Sequence, residues 1–355
     1  MPSIKSWVDA QRQPADPGKV ALRKEDVARP ATKRIKPQSV VPARRTTLKV
    51  PVKIPDELPA RRTLEAEGII VMGEADAVRQ DIRPLRIGLL NLMPDKVVTE
   101  TQLARLLGAT PLQIELTLVR LTDHLARHTS PDHMDAFYRP WSEVRSERFD
   151  GFIVTGAPVE RLPFEDVTYW PELERIFDWT QTHVHHCLTI CWAAQAALHH
   201  FHAVPKRVLP RKAFGLFAHR TLDSSSPYLR GFSDVFDVPV SRWAQACETA
   251  LAAAPSLQVL AASEETGPCL VDDPAHRMLH MFNHLEYDTG TLAGEYARDG
   301  GSQLPAGYFP DEDPLQAPQN RWRGHAHLLF GNWINHIYQT APFDVEAIGT
   351  AAMAA

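Results

Sequence analysis

Five apolar runs set the frame for this chain: LRIGLLNLM (85–93), LQIELTLVRL (112–121), FDGFIVTGA (149–157), CLTI (187–190) and HRMLHMFN (276–283). Each is about the length of a buried strand, and stretches with helical spacing lie between the first four. VVTETQLARLLGAT places Leu103, Leu106 and Leu107 on one helix face, and YWPELERIFDWTQTHV does the same with Trp170, Leu173, Ile176 and Phe177. Strand, helix, strand, helix predicts an α/β fold of flavodoxin-like type, with a mostly parallel sheet and helices on both faces. Ligands of such sheets collect beyond the carboxyl ends of the strands. NLMPDK, TGAPVE and ICWAAQ are therefore the segments where chemistry is expected.

Composition narrows the class. A chain of 355 residues, 44% hydrophobic and 23% charged, can bury a sizeable core. Four cysteines are too few for a disulfide framework, and no apolar stretch follows the early basic residues as a signal peptide would, so a cytoplasmic protein is expected. No run reaches the roughly 18–20 apolar residues of a membrane span. Residues 1–49 carry 12 Lys or Arg against 4 Asp or Glu; with a net charge of −5 overall, the remainder sums to −13. An acidic body does not suggest nucleic-acid binding. The basic leader, rich in Pro and Gln and without apolar periodicity, is expected to be a disordered extension or the product of an overlong gene prediction.

HVHHCLTICWAAQAALHHFH (183–202) gathers six histidines and two cysteines. A zinc site is not expected there: zinc ligands usually come as paired units with a distant second half, and no second cysteine pair exists. A redox pair fails too, since C-x3-C along a strand sets the thiols roughly 13 Å apart. The third reading is a short strand ending at Cys191 and followed at once by an Ala-rich, helix-favouring segment. At such an elbow, backbone N–H groups and the positive end of the helix dipole favour negative charge. Cys187, inside the strand, is expected to be inert core. His284 and Glu286, two apart in HLEYD after an apolar run, supply a base and an orienting carboxylate.

At these motifs the sequence resembles a known family. The order NLMPDK, FDGFIVTGAP, ICWAAQAAL, HLEYD, YFPDEDP is similar to the homoserine O-acyltransferases of methionine biosynthesis, which are built on the class I glutamine amidotransferase fold. The likeness runs from about Val50 to the PFD at 342–344 and implies one catalytic domain over 50–345, followed by a flexible tail at 346–355. It implies Cys191 as nucleophile, His284 as general base and Glu286 as the acid that orients it. Lys212, Ser241 and Arg298 match homoserine-binding positions, and a cation suits an amino-acid carboxylate. Glu295 is a candidate for the substrate ammonium, and Lys96 is expected near the site. The backbone N–H of Trp192 and one from the TGAPVE loop are expected to hold the oxyanion.

Glu160 occupies the position that separates donors in the family: glycine accompanies succinyl-CoA, glutamate acetyl-CoA. A carboxylate there would repel a succinyl carboxylate as well as fill its space, so acetyl-CoA is the expected donor and succinyl-CoA the alternative. Acyl-CoA enters as co-substrate, with no resident cofactor and no metal, and the resemblance suggests a homodimer. Two positions depart from the family: Asn283 and Leu285 stand where glycine and proline flank the catalytic histidine. A glutamine amidohydrolase is the rival reading, but ICWAAQ lacks the G-x-C-x-G surroundings typical of those enzymes. A non-catalytic metal or polyanion binder is the rival outside the enzymes.

Overall fold

A computed structural model of the chain describes residues 52–55, 57–67, 71–72, 83–124 and 129–349. Twelve strands are described: β1 (Val52–Lys53), β2 (Val71–Met72), β3 (Leu85–Leu90), β4 (Ile114–Arg120), β5 (Arg139–Pro140), β6 (Phe149–Val154), β7 (Val184–Ile190), β8 (Lys206–Thr221), β9 (Val235–Ala246), β10 (Gln258–Ser263), β11 (Gly267–Asp273) and β12 (Met278–Met281). The helices are α1 (Ala60–Ala66), α2 (Lys96–Leu107), α3 (Pro131–Phe137), α4 (Trp141–Val144), α5 (Trp170–His183), α6 (Trp192–His202), α7 (Glu248–Ala253), α8 (Thr291–Arg298) and α9 (Arg323–Thr340).

The strands form one sheet in the order β2-β1-β4-β3-β6-β7-β12-β11-β10-β8-β9, with β5 added beside β4. From β2 to β12 every pairing is parallel, and from β12 to β9 every pairing is antiparallel. The expected parallel sheet is thus one half of the molecule. The antiparallel half, β8 to β11, was not expected from the sequence, because the apolar run of β8, AFGLFA, is flanked by Arg and Lys on one side and by His and Arg on the other.

The period-two geometry of strands splits the apolar residues between two cores. Ile87, Leu89, Ile153, Leu188 and Ile190 face one side with Leu103 and Leu107 of α2 and Phe330, Trp333 and Ile337 of α9. Phe152, Val154 and Cys187 face the other with Leu173, Ile176 and Phe177 of α5 and Ala193, Ala196 and Ala197 of α6. Helices therefore cover both faces, as expected. Gly151 permits the close approach of α9, since a Cβ there would lie 2.8 Å from the Trp333 ring. α2 starts at Asp95, whose carboxylate accepts from the N–H of Val98 at 3.2 Å, an N-cap that begins the helix directly after the NLMP loop.

The expected disordered leader, residues 1–49, lies outside the described residues. The tail expected to be flexible from residue 346 is instead docked as far as Gly349. Ile348 is buried, its carbonyl accepts from Arg148, and Gly349 packs against the backbone of Thr182. Residues 350–355 lie outside the description. Among the described residues no helix is long and apolar enough to cross a membrane.

Candidate active site

Cys191 follows β7 and precedes α6 with φ 54° and ψ −114°, left-handed backbone that a side chain adopts only when its surroundings enforce it. The enforcement is visible: its N–H donates to the Met281 carbonyl of neighbouring β12 at 2.7 Å, while the next residue already enters the helix. The turn aims the thiol into a cavity of about 500 Å³ lined by Glu160, Lys212, Ser241, Trp243, His284 and Glu295, among others. Gly156 closes the other side. A Cβ on it would stand 3.1 Å from the Cys191 Cβ and 3.6 Å from the Trp192 nitrogen, so the absence of a side chain keeps the TGAP loop against the elbow. Trp192 is the first residue of its helix, where a backbone N–H has no intrahelical acceptor.

His284 and Glu286 do meet, though not by strand alternation. β12 ends at Met281, and the two residues belong to a turn closed by the Tyr287 N–H on the His284 carbonyl. His284 is anchored by its own N–H to the Pro239 carbonyl of β9 at 2.9 Å, and its Nδ1 lies 2.6 Å from Glu286 Oε1. Its ring stacks on Tyr287, centroids 4.1 Å apart. Burial works against a charge on this imidazole, but the Glu286 carboxylate and the Cys191 sulfur outweigh it and hold its pKa well above the ordinary value. His284 is thus paired with the acid on one side and faces the Cys191 sulfur on the other.

Glu160 lies in the cavity, its Oε1 3.9 Å from the Cys191 sulfur. Burial raises its pKa, against the pull of His284 and Lys212. Opposite it, Glu295 of α8 gathers the remaining expected residues. Its Oε2 accepts from Lys212 Nζ at 2.9 Å and from the Ser241 hydroxyl. Burial would raise the pKa of Glu295, yet Lys212 and these hydrogen bonds hold it below the usual carboxylate range. Arg298 stands at the rim, 66% exposed, with Nη2 4.0 Å from Glu295 and Nε 3.0 Å from Asp299.

Three expected residues, Glu286, Trp192 and Lys96, stand behind the cavity wall rather than lining it, and Lys96 acts through a loop. Its Nζ donates to the Asn91 and Met93 carbonyls, at 2.5 and 2.9 Å, and so clamps the loop whose Met93 and Pro94 do line it. Burial pulls its pKa down to about 8. Three residues were missed from the sequence. Tyr287 donates to Glu295 Oε1 at 2.9 Å beneath the His284 imidazole, Asp299 shares Lys212 at 3.3 Å, and Trp243 carries the Arg161 guanidinium 3.6 Å over its ring. Tyr287 was the most accessible of these, since it adjoins Glu286 in HLEYD.

The chain is similar to proteins already known. The family model described as homoserine O-succinyltransferase matches residues 51–343. A homoserine O-acetyltransferase of Rhizorhabdus wittichii is 72% identical over 300 residues, covering 84% of this chain and 95% of that protein. One from Brucella canis is 65% identical over 304 residues, covering 84% and 99%. Among solved structures, a glutamine amidotransferase from Thermotoga maritima is similar at 9% identity with a TM-score of 0.48, covering 73% of this chain and all of that one.

Proposed function

This chain belongs to the homoserine O-succinyltransferase family, and we infer that it is a homoserine O-acyltransferase whose donor is acetyl-CoA. The observation that carries the reading is the Cys191 elbow facing His284–Glu286 in a cavity that also holds Glu160. The Cys191 thiolate attacks the thioester carbonyl carbon, and the resulting oxyanion is held by the Trp192 N–H and the TGAP backbone. As the intermediate collapses, the carbon–sulfur bond to CoA breaks and His284 gives its proton to the departing thiolate. Homoserine then binds, and its hydroxyl attacks the acetyl-cysteine while His284 takes the hydroxyl proton. Collapse of the second intermediate releases O-acetylhomoserine and returns the thiolate and imidazolium.

Glu286 fixes the tautomer and orientation of His284, as the acid of a nucleophile–base–acid triad does. Lys212 offers a cation for the homoserine carboxylate, with Arg298 at the mouth, and Ser241 and Glu295 offer polar partners for the ammonium. Glu160 selects the donor. A succinyl chain extending from the acyl-cysteine would bring its own carboxylate toward that of Glu160, whereas an acetyl methyl group needs neither the space nor a counter-charge. The family model's name points to succinyl transfer and the named relatives to acetyl transfer; Glu160 favours the second. A cytoplasmic enzyme that works as a homodimer is the setting this reading carries. CoA release from acetyl-CoA and from succinyl-CoA, each with L-homoserine, tests it: turnover confined to succinyl-CoA would overturn the choice of donor.

A further inference from the structure

Away from the active-site cavity, the fold assembles a second set of histidines around one carboxylate. Asp273, at the end of β11, is wholly buried, and its Oδ2 is approached from three directions. His202 Nε2, from the last residue of α6, lies 2.6 Å away; His276 Nδ1, from the turn into β12, 2.8 Å; His280 Nε2, from β12, 3.9 Å. The ligand atoms of His202, Asp273 and His276 lie within 4.8 Å of one another.

His280 makes this more than a hydrogen-bonded network. Its ring is fully buried, its Nδ1 lies 2.7 Å from the Thr189 hydroxyl, and its Nε2 has no hydrogen-bond partner. With Nδ1–H given to Thr189, Nε2 presents a bare lone pair to a carboxylate oxygen, two electron-rich atoms facing each other in the protein interior. In the other tautomer a buried N–H points at an acceptor beyond hydrogen-bond reach. A cation between the two atoms removes the mismatch, because metal–ligand bonds of roughly 2.0–2.2 Å span such a gap. The Thr189 contact is the outer hydrogen bond that orients a ligating imidazole.

We propose that His202, Asp273, His276 and His280 form a structural site for a divalent transition-metal ion, zinc being the ion suited to a closed set of imidazoles and one carboxylate. The 2.6 and 2.8 Å contacts open to roughly 3.2–3.4 Å around such an ion. The site ties the far end of α6, whose first residue follows Cys191, to the β11–β12 hairpin, which leads on to His284. It therefore staples the helix that follows Cys191 to the hairpin that precedes His284, and it stands independently of the acyl-transfer reading.

The experiment uses the full-length Cys191→Ser protein, so that the active-site thiol cannot serve as a ligand. The protein is stripped with chelator and titrated with Co²⁺ and then Zn²⁺. One equivalent of Co²⁺ with tetrahedral ligand-field bands is expected, displaced by Zn²⁺ together with a rise in the thermal midpoint. His202→Gln and His276→Gln should each weaken binding by at least roughly tenfold, while His183→Gln leaves it unchanged. The proposal is overturned if Co²⁺ gives no saturable tetrahedral signal, or if that signal persists undiminished in the His202→Gln/His276→Gln double variant.

Discussion

Strand β7 carries one thiol at its centre, Cys187, and ends immediately before a second, Cys191. Exposure does not distinguish them, since they are 2% and 3% accessible. Cys187 points into the core against α5 and α6, and burial pushes its pKa up to about 12. Cys191, just past the last strand residue, is turned by its left-handed backbone into the cavity that holds His284 and Glu160. The residue type is the same and the burial nearly so. What differs is where the chain leaves the sheet and what the thiol faces there, and on the proposed mechanism that difference sets reactivity.

The largest expected effect tests that contrast directly. Cys191→Ala should lower turnover by on the order of 10⁴-fold or more, as loss of a nucleophile does. Cys187→Ala should leave turnover within about twofold and cost about 1–2 kcal/mol of stability through the small cavity it leaves. Rates of CoA release and denaturant unfolding of the two variants check both halves. Equal losses of activity would erase the distinction.

Next in size is the acid behind the base. Glu286→Gln should reduce kcat by about 10²–10⁴-fold with the fold intact. Because Glu286 helps to hold the His284 pKa above its ordinary value, the limb of the pH–rate profile that reports His284 should move to lower pH. The same pair affects stability. A raised folded-state pKa contributes stability that is fully present below the ordinary histidine range and is lost as pH rises through the folded value. Wild type should therefore lose more stability than Glu286→Gln over that alkaline interval, measured by denaturant unfolding at successive pH values.

Glu160→Gly addresses what Cys191 faces rather than Cys191 itself. Removing the carboxylate 3.9 Å from the sulfur should raise the kcat/KM ratio of succinyl-CoA to acetyl-CoA by about 10–100-fold. An unchanged ratio would mean that Glu160 does not select the donor. The smallest effect belongs to Lys96, which shapes the cavity from outside. Its folded pKa of about 8 lies below the ordinary 10.5, so the unfolded chain binds more protons between these values and stability rises with pH there. Lys96→Gln should lack that rise, at most about 1.4 kcal/mol per pH unit, seen in unfolding curves from pH 8 to 10.

The parallel half was legible because its strands are nearly continuous apolar runs and α2 and α5 have helical spacing that survives in the structure. The antiparallel half was not, since β8 and β9 interleave charged and polar residues, several of which, among them Lys212 and Ser241, are turned toward the site. Cys191, His284 and Glu286 could be read from strand ends and motif resemblance. The contact of Tyr287 with Glu295 could not, because it depends on where α8 lies relative to the turn after β12. Asp273 was likewise invisible as a partner of His202, being 71 residues away in sequence. Pairwise contacts between distant elements are set by the order of strands in the sheet, which local periodicity does not encode.

The most direct test of the central claim is the mass of the cysteine peptides after brief incubation with acetyl-CoA in the absence of homoserine. Cys247 provides an internal control: it is partly exposed, its hydrogen bond to Thr249 lowers its pKa, and it does not line the cavity. An acetyl group should be found on the peptide containing Cys191, should disappear when homoserine is added, and should be absent from Cys247. Turnover without any adduct at Cys191, or an adduct there that homoserine does not discharge, would contradict the account.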